Sequence, residues 1–425
     1  MKNSSVLSII TAFSIPKVSL ILLFSISLIT PSLAQEKNPK KVDIVRTPTI
    51  NNDNVTVRIK VTGEDDRPVM GLSYKDFKLQ VEGQDLEINP RNWKSPEESE
   101  PPPAWIVILV DMSGSMLSPD SSGKTKLEGG MEAINQFIEI LAKRGGNTQV
   151  AIVPFGEGNE KCQGYEVNTQ ELDKFFSPND VKLTNFLTYL ASTKPCASTN
   201  LYDPLLEAIK FFSNEKDPRF YLTEEQINKG ELQPRLSVIL LSDGYHNRSN
   251  EAKDFAKLTE KLELNNNIIV HTLGYGLTPQ QLAQKYKLSK PATRQDVNNG
   301  KVPEEEFVDA QRLEEIAQKT GGIAEFSGDS EDIAENLQLF LNALLGEYEI
   351  TYTDPNPERG ATHTVISQVE NIKSEPKPYT IPVFGRTLPL NIRLLIFGLT
   401  LLSLGLFGVL PFYLWGQMLK QKALE

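Results

Sequence analysis

Five consecutive apolar residues, Ile106 to Val110, run straight into Asp111, and the chain then reads Met112-Ser113-Gly114-Ser115-Met116. An unbroken, largely β-branched run without polar alternation suits a strand buried on both faces of a parallel sheet. In open α/β sheets the ligand site lies outside the carboxyl ends of the strands, which is where Asp111, Ser113 and Ser115 fall. Their hard oxygens, with no His or Cys among them, suit Mg²⁺, Mn²⁺ or Ca²⁺ rather than Zn²⁺. Alone, an Asp-x-Ser-x-Ser match is weak, and a serine capping the next helix accounts for it equally well.

Two further stretches add context. Ala197-Ser198-Thr199-Asn200-Leu201-Tyr202-Asp203 opens a helical pattern, and Leu236 to Leu241 is a second apolar run, ending in Ser242-Asp243-Gly244. On these residues the chain resembles the von Willebrand factor type A domain, the family that includes integrin inserted domains. That family's metal-ion-dependent adhesion site combines an Asp-x-Ser-x-Ser loop, a Thr loop and an Asp-Gly loop in this order. The matching positions are Asp111, Ser113, Ser115, Thr199 and Asp243, and none departs from the pattern.

The resemblance spans Pro103 to Leu345 and implies a doubly wound, mostly parallel α/β sheet. It also implies a divalent cation, Mg²⁺ or alternatively Mn²⁺ or Ca²⁺, held by the hydroxyls of Ser113, Ser115 and Thr199. Asp111 and Asp243 act on it directly or through water. One coordination position stays open for an acidic residue of a protein partner. Family members switch affinity by moving the last helix, here Ile333 to Leu345.

The net charge of −11 argues against a nucleic-acid partner. Three His and two Cys exclude zinc-finger spacings. Lys2, the apolar run Val18 to Ile29 and Ser32-Leu33-Ala34 read as a signal peptide over residues 1–34, with an uncleaved anchor as the rival reading. Leu394 to Trp415 carries no charge and is long enough to span a bilayer, with residues 416–425 as a cytoplasmic tail. The expectation is a single-pass membrane protein with its bulk outside the cytoplasm, in the periplasm or at the cell surface.

From Glu36 to Lys94 the pattern has period two, as in Val55, Val57, Ile59 and Val61, and it returns after Leu345 in Tyr348, Ile350 and Tyr352. A first piece of about 60 residues is marginal for its own core. The expectation is therefore a β-sandwich built from both flanks, 36–94 and 346–372, as in bacterial surface proteins that resemble this one, with the α/β domain inserted at 103–345. Residues 95–102 read as a stiff Pro-rich connector and 373–389 as a Pro-rich spacer, reaching about 50 Å if extended, or alternatively as a segment packed along the sandwich. Leu277 to Asp309 exceeds the usual connection length. It reads either as a disordered excursion or as a partner-selecting rim on the same edge as Asp111. Cys162 and Cys196 in an exported chain read as one disulfide, with two unpaired thiols as the alternative. The resemblance puts both on the metal-bearing edge, where a loop of about 35 residues closed this way gains roughly 3–4 kcal/mol.

Three functions compete on this basis. The first is a metal-dependent adhesion or assembly module. The second is a regulatory or scaffold subunit of a membrane complex, as in calcium-channel alpha-2-delta subunits, which also carry an exported type A domain. The third is a hydrolase using Asp243 and His246, for which no nucleophile elbow or recognisable triad exists. The expectation is no enzymatic activity.

Overall fold

The computed structural model describes residues 38–51, 53–223, 225–226, 231–382 and 390–424. The signal segment and residues 383–389 of the spacer lie outside them.

Six strands precede the α/β domain: β1 (Lys41–Ile44), β2 (Thr49–Asn51), β3 (Asn54–Thr62), β4 (Phe77–Val81), β5 (Gln84–Leu86) and β6 (Trp93–Lys94). Five more make its central sheet: β7 (Ala104–Asp111), β8 (Thr148–Phe155), β9 (Arg235–Ser242), β10 (Ile268–Tyr275) and β11 (Ala324–Ser327). The chain closes this series with β12 (Tyr348–Thr353), β13 (Thr362–Val369), β14 (Ile372–Lys373) and β15 (Lys377–Thr380).

The central sheet has the order β11-β10-β9-β7-β8, with every neighbouring pair parallel. Pleating sends alternate side chains of β7 to opposite faces. Ile106, Ile108 and Val110 pack with the helices Lys126–Arg144 and Ser330–Leu345. Val107 and Leu109 pack with the helices Tyr202–Phe212 and Ala310–Lys319 and with Leu258 and Leu262 of Glu251–Leu264. That double burial explains the unbroken apolar run. From β7 the chain moves outward to β8, then returns to β9 on the other side. The strand order reverses at the carboxyl ends of β7 and β9, the switch point where such sheets bind ligands.

The flanks build two five-stranded antiparallel sheets. In one, β3 pairs with β12, setting Tyr348 opposite Ile59 and Ile350 opposite Val57. In the other, β13 pairs with β4. Val55, Val57, Ile59, Tyr348 and Ile350 from the first sheet meet Phe77, Leu79, Val81, Val365 and Val369 from the second in one core. The expected sandwich from both flanks is present.

Two expectations change, and one open alternative closes. The 95–102 connector is not a free-standing extended rod: it turns at Ser95–Ser99 and packs in the junction, with Ser99 Oγ donating to the Glu347 carbonyl (3.0 Å) and Arg144 to the Pro96 carbonyl (3.1 Å). The spacer does not begin at Lys373. Residues Lys377–Thr380 form β15 on β13, and Tyr379 with the following Ile381 is buried in the sandwich core. Pro378 sits on this edge strand, where its missing N–H costs no ladder bond. Leu277 to Asp309 is not a disordered excursion. It folds into the short helices Pro279–Lys285 and Arg294–Asn298 over a small core of Leu282, Ala292, Val297, Val302 and Phe307 with Tyr245.

Helical structure runs through Leu390–Ser403, the π-helical turn Leu404–Val409 and Leu410–Lys422. Pro411, lacking an N–H, interrupts the regular bonding just after that turn. Leu394–Lys422 is long and apolar enough to cross a membrane.

Candidate metal site

Asp111 ends β7 and Asp243 follows β9, so parallel pairing of those strands sets the two carboxylates side by side at one sheet edge. Both are fully buried. The Ser113 amide donates to Asp111 Oδ1 (2.8 Å), bending the chain so that Ser113 and Ser115 face inward. Their hydroxyls lie 3.0 Å apart. Ser115 Oγ donates to Asp243 Oδ1 (2.7 Å), and Ser113 Oγ reaches the same oxygen at 3.4 Å.

Thr199 arrives on a separate loop that backbone bonds hold on two sides. Gly114 N donates to the Ala197 carbonyl (3.2 Å) and Ala197 N to the Met112 carbonyl (3.2 Å). Glu157 and Ser198 exchange two bonds of 2.9 Å. The disulfide Cys162–Cys196, with Cα atoms 5.8 Å apart, ties the same two loops. Gly156 permits this close approach, since a Cβ there would stand 2.5 Å from that of Ala197. Gly244 similarly leaves space beside Thr199, whose Oγ1 would lie 3.0 Å from an added Cβ.

Ser113, Ser115 and Thr199 line one cavity of about 220 Å³, together with Gly244, Tyr245, Asn247 and the rim residues Glu304 and Glu305. The structure therefore gathers Asp111, Ser113, Ser115, Thr199 and Asp243, and it sets the folded Leu277–Asp309 segment at their mouth. Among the described residues no group of three or more His, Cys, Asp and Glu could hold a metal. The donors here are three hydroxyls and two carboxylates. That set fits a hard divalent cation. Burial first, and then the charge of Asp243, pushes the Asp111 carboxyl up to about 7.

Four contributors escape a motif-based reading. The Ser242 hydroxyl donates to Asp111 Oδ2 across β9 and β7. Lys126 Nζ pairs with Asp243 Oδ2 at 2.7 Å. Glu304 and Glu305 come from the far loop. Lys126 leaves a trace in the sequence, as a cation in the first turn of a helix capped by Thr125 and Glu128, where the helix dipole favours anions. His246 does not face the serines. Its ring stacks on Tyr202 with centroids 4.1 Å apart, and Nε2 lies 3.4 Å from Asp254 Oδ2. Burial lowers its pKa.

Residues 106–246 match the family model of the von Willebrand factor type A domain. No curated protein matches the chain. Among solved structures, the pilus adhesin SpaC from Lactobacillus rhamnosus GG is 11% identical over 82% of this chain and 49% of its own, with a TM-score of 0.40. Proximal thread matrix protein 1 from the mussel byssus is 16% identical over 57% of this chain and 49% of its own, with a TM-score of 0.34. The N-terminal domain of TFIIH p34 is 12% identical over 56% of this chain and 96% of its own, with a TM-score of 0.36. The chain spans about half the length of the first two.

Proposed function

We propose that the type A domain at residues 106–246 is the metal-dependent protein-binding part of a membrane-anchored adhesion or assembly module. The observation that carries this reading is the meeting of three separate loops, at Asp111–Ser115, Thr199 and Asp243, around one cavity open to solvent. Ser113, Ser115 and Thr199 supply neutral donors to Mg²⁺, and Asp111 and Asp243 supply charge. A hard cation with few anionic ligands keeps a labile position for the carboxylate of a partner.

The helix at Leu394–Lys422 is the anchor in this reading, with the folded bulk outside the cytoplasm. It equally favours the reading as a regulatory or scaffold subunit of a membrane complex. What co-purifies from native membranes with and without EDTA separates the two. A hydrolase is disfavoured by the engagement of His246 with Tyr202 and Asp254.

Calorimetric titration of the detergent-solubilised full chain with Mn²⁺ tests the site. One ion is expected per chain, lost in Asp111→Ala and Thr199→Ala while circular dichroism is unchanged. Titration without heat in the intact chain, or undiminished binding in both variants, overturns the assignment.

A further inference from the structure

Lys126 has no evident structural reason to be where it is. It occupies the first position of the helix Lys126–Arg144 and is almost entirely buried. A cation at a helix N-terminus opposes the macrodipole, and a buried ammonium loses its hydration. Neither helix formation nor packing asks for it. Among the described residues its short ionic contact is Nζ to Asp243 Oδ2 at 2.7 Å. The nearby Glu306 has its own partner in Lys285, at 2.6 Å.

The two oxygens of Asp243 are thereby divided. Oδ2 faces Lys126, and Oδ1 faces the hydroxyls of Ser115 and Ser113. We propose that Lys126 is a resident cation of the metal site, which orients Asp243 toward the serines and leaves the loaded pocket with surplus positive charge that selects an anionic, carboxylate-bearing ligand. The inference rests on the metal-site reading above. Two carboxylates alone neutralise a divalent ion. With the ammonium present, the two buried carboxylates leave the ion and Lys126 one positive charge in excess at the cavity floor, beneath the rim carboxylates Glu304 and Glu305. Lys126 is a positioning and selectivity residue, and the ion's ligands remain the five oxygen-bearing side chains.

Two consequences of removing it oppose each other. Losing the bond frees Asp243 to rotate, which weakens metal binding. Losing the cation removes its repulsion of the divalent ion. In a buried site, repulsion between like charges that share the Asp243 carboxylate exceeds the contribution of a single hydrogen bond. Lys126→Met therefore binds Mn²⁺ at least tenfold more tightly, and its loaded form captures acetate at least fivefold more weakly.

The test uses the full chain in detergent, purified with Mn²⁺ so that the variant is not left with an unpaired buried carboxylate. Mn²⁺ affinity is read by calorimetry, and acetate capture by broadening of the ¹³C-acetate resonance by bound Mn²⁺. Lys126→Arg, which keeps the charge, is expected to match the unaltered chain in both. Lys126→Gln, which keeps a donor and drops the charge, is expected to follow Lys126→Met in acetate capture. Unchanged or weaker Mn²⁺ binding in Lys126→Met, or acetate capture that ignores the charge at position 126, overturns the role of the lysine. Absence of Mn²⁺ binding in the unaltered chain overturns the metal reading itself, so the two failures are distinguishable.

Discussion

Arg235, the first residue of β9, is ion-paired to Glu347, which stands between the last helix and β12. The same carboxylate faces Arg58 at 3.6 Å and Arg46 at 3.8 Å. One buried anion thus joins the strand that leads into Asp243 to the sandwich, with only Gly346 and Glu347 between the helix Ser330–Leu345 and β12. Burial already lowers the Arg46 pKa to about 10.

Removing the carboxylate leaves these guanidinium groups without their shared counter-charge. Glu347→Ala is therefore expected to lose about 3–5 kcal/mol, the range for breaking one side of a buried ion pair. Trp93 reports on the sandwich and Trp105 on the α/β domain. Denaturation followed in Trp93→Phe and Trp105→Phe backgrounds should show both reporters moving to lower midpoints together. A shift confined to one would mean that Glu347 does not couple the two.

Much of this was legible beforehand because burial writes itself into residue type. The double-sided packing of β7 required the run Ile106 to Val110, and the one-sided sheets required the alternation at Val55 to Val61 and Tyr348 to Tyr352. The helix Glu251–Leu264 leaves little periodic signal because only Leu258 and Leu262 on it are buried and the rest is mainly charged or half-exposed. The strand Lys377–Thr380 was hidden by its proline, which reads as spacer until the edge position is known. In the site, Asp111, Ser113, Ser115, Thr199 and Asp243 share a spaced pattern. Lys126 and Glu304 come from elements whose meeting depends on the fold alone.

The disulfide ties down the segment that leads into Thr199. Chain entropy gives the bridge about 3–4 kcal/mol for a sequence separation of 34. Reduction, or the Cys162→Ala/Cys196→Ala double variant, is expected to lower the melting transition accordingly. Mn²⁺ affinity should fall in parallel, because Thr199 lies three residues beyond Cys196. Melting curves and calorimetry in oxidising and reducing buffer check both effects. A stability loss with unchanged Mn²⁺ affinity would confine the bridge to a structural role.

His271 on β10 makes the fold sensitive to acid. Its Nδ1 accepts from the Ile323 amide at 3.1 Å, and its ring stacks on Phe340 of the last helix at 4.6 Å. Burial, and then the charge of Lys60, lowers its pKa from 6.5 to about 3. The unfolded chain therefore binds a proton that the folded chain refuses. This contribution to stability is fully present above pH 6.5 and is lost as pH falls toward 3, by up to about 1.4 kcal/mol per unit. Denaturation midpoints measured across that window should fall with pH, and His271→Gln should remove this part of the slope while lowering stability at pH 7. An equal slope in the variant would place the acid sensitivity elsewhere.

Gly156 offers a way to move Thr199 without touching any donor. A Cβ at that position meets the Ala197 Cβ at 2.5 Å and the Met112 carbonyl carbon at 3.8 Å. Ala197 can retreat only by loosening its bonds with Gly114 and Met112, and Thr199 moves with it. Gly156→Ala is expected to cost about 1–3 kcal/mol, as overpacking does, and to weaken Mn²⁺ binding at least threefold. Gly71→Ala is the matched control. It forces a side chain into a left-handed backbone conformation (φ +69°) in open space within the sandwich flank. That strain costs roughly 1–2 kcal/mol far from the site. Both variants should melt earlier, and only Gly156→Ala should bind Mn²⁺ more weakly. Equal Mn²⁺ affinity in the two would mean that the position of Thr199 does not govern the site, and the three-loop cradle would reduce to the Asp111 and Asp243 edges alone.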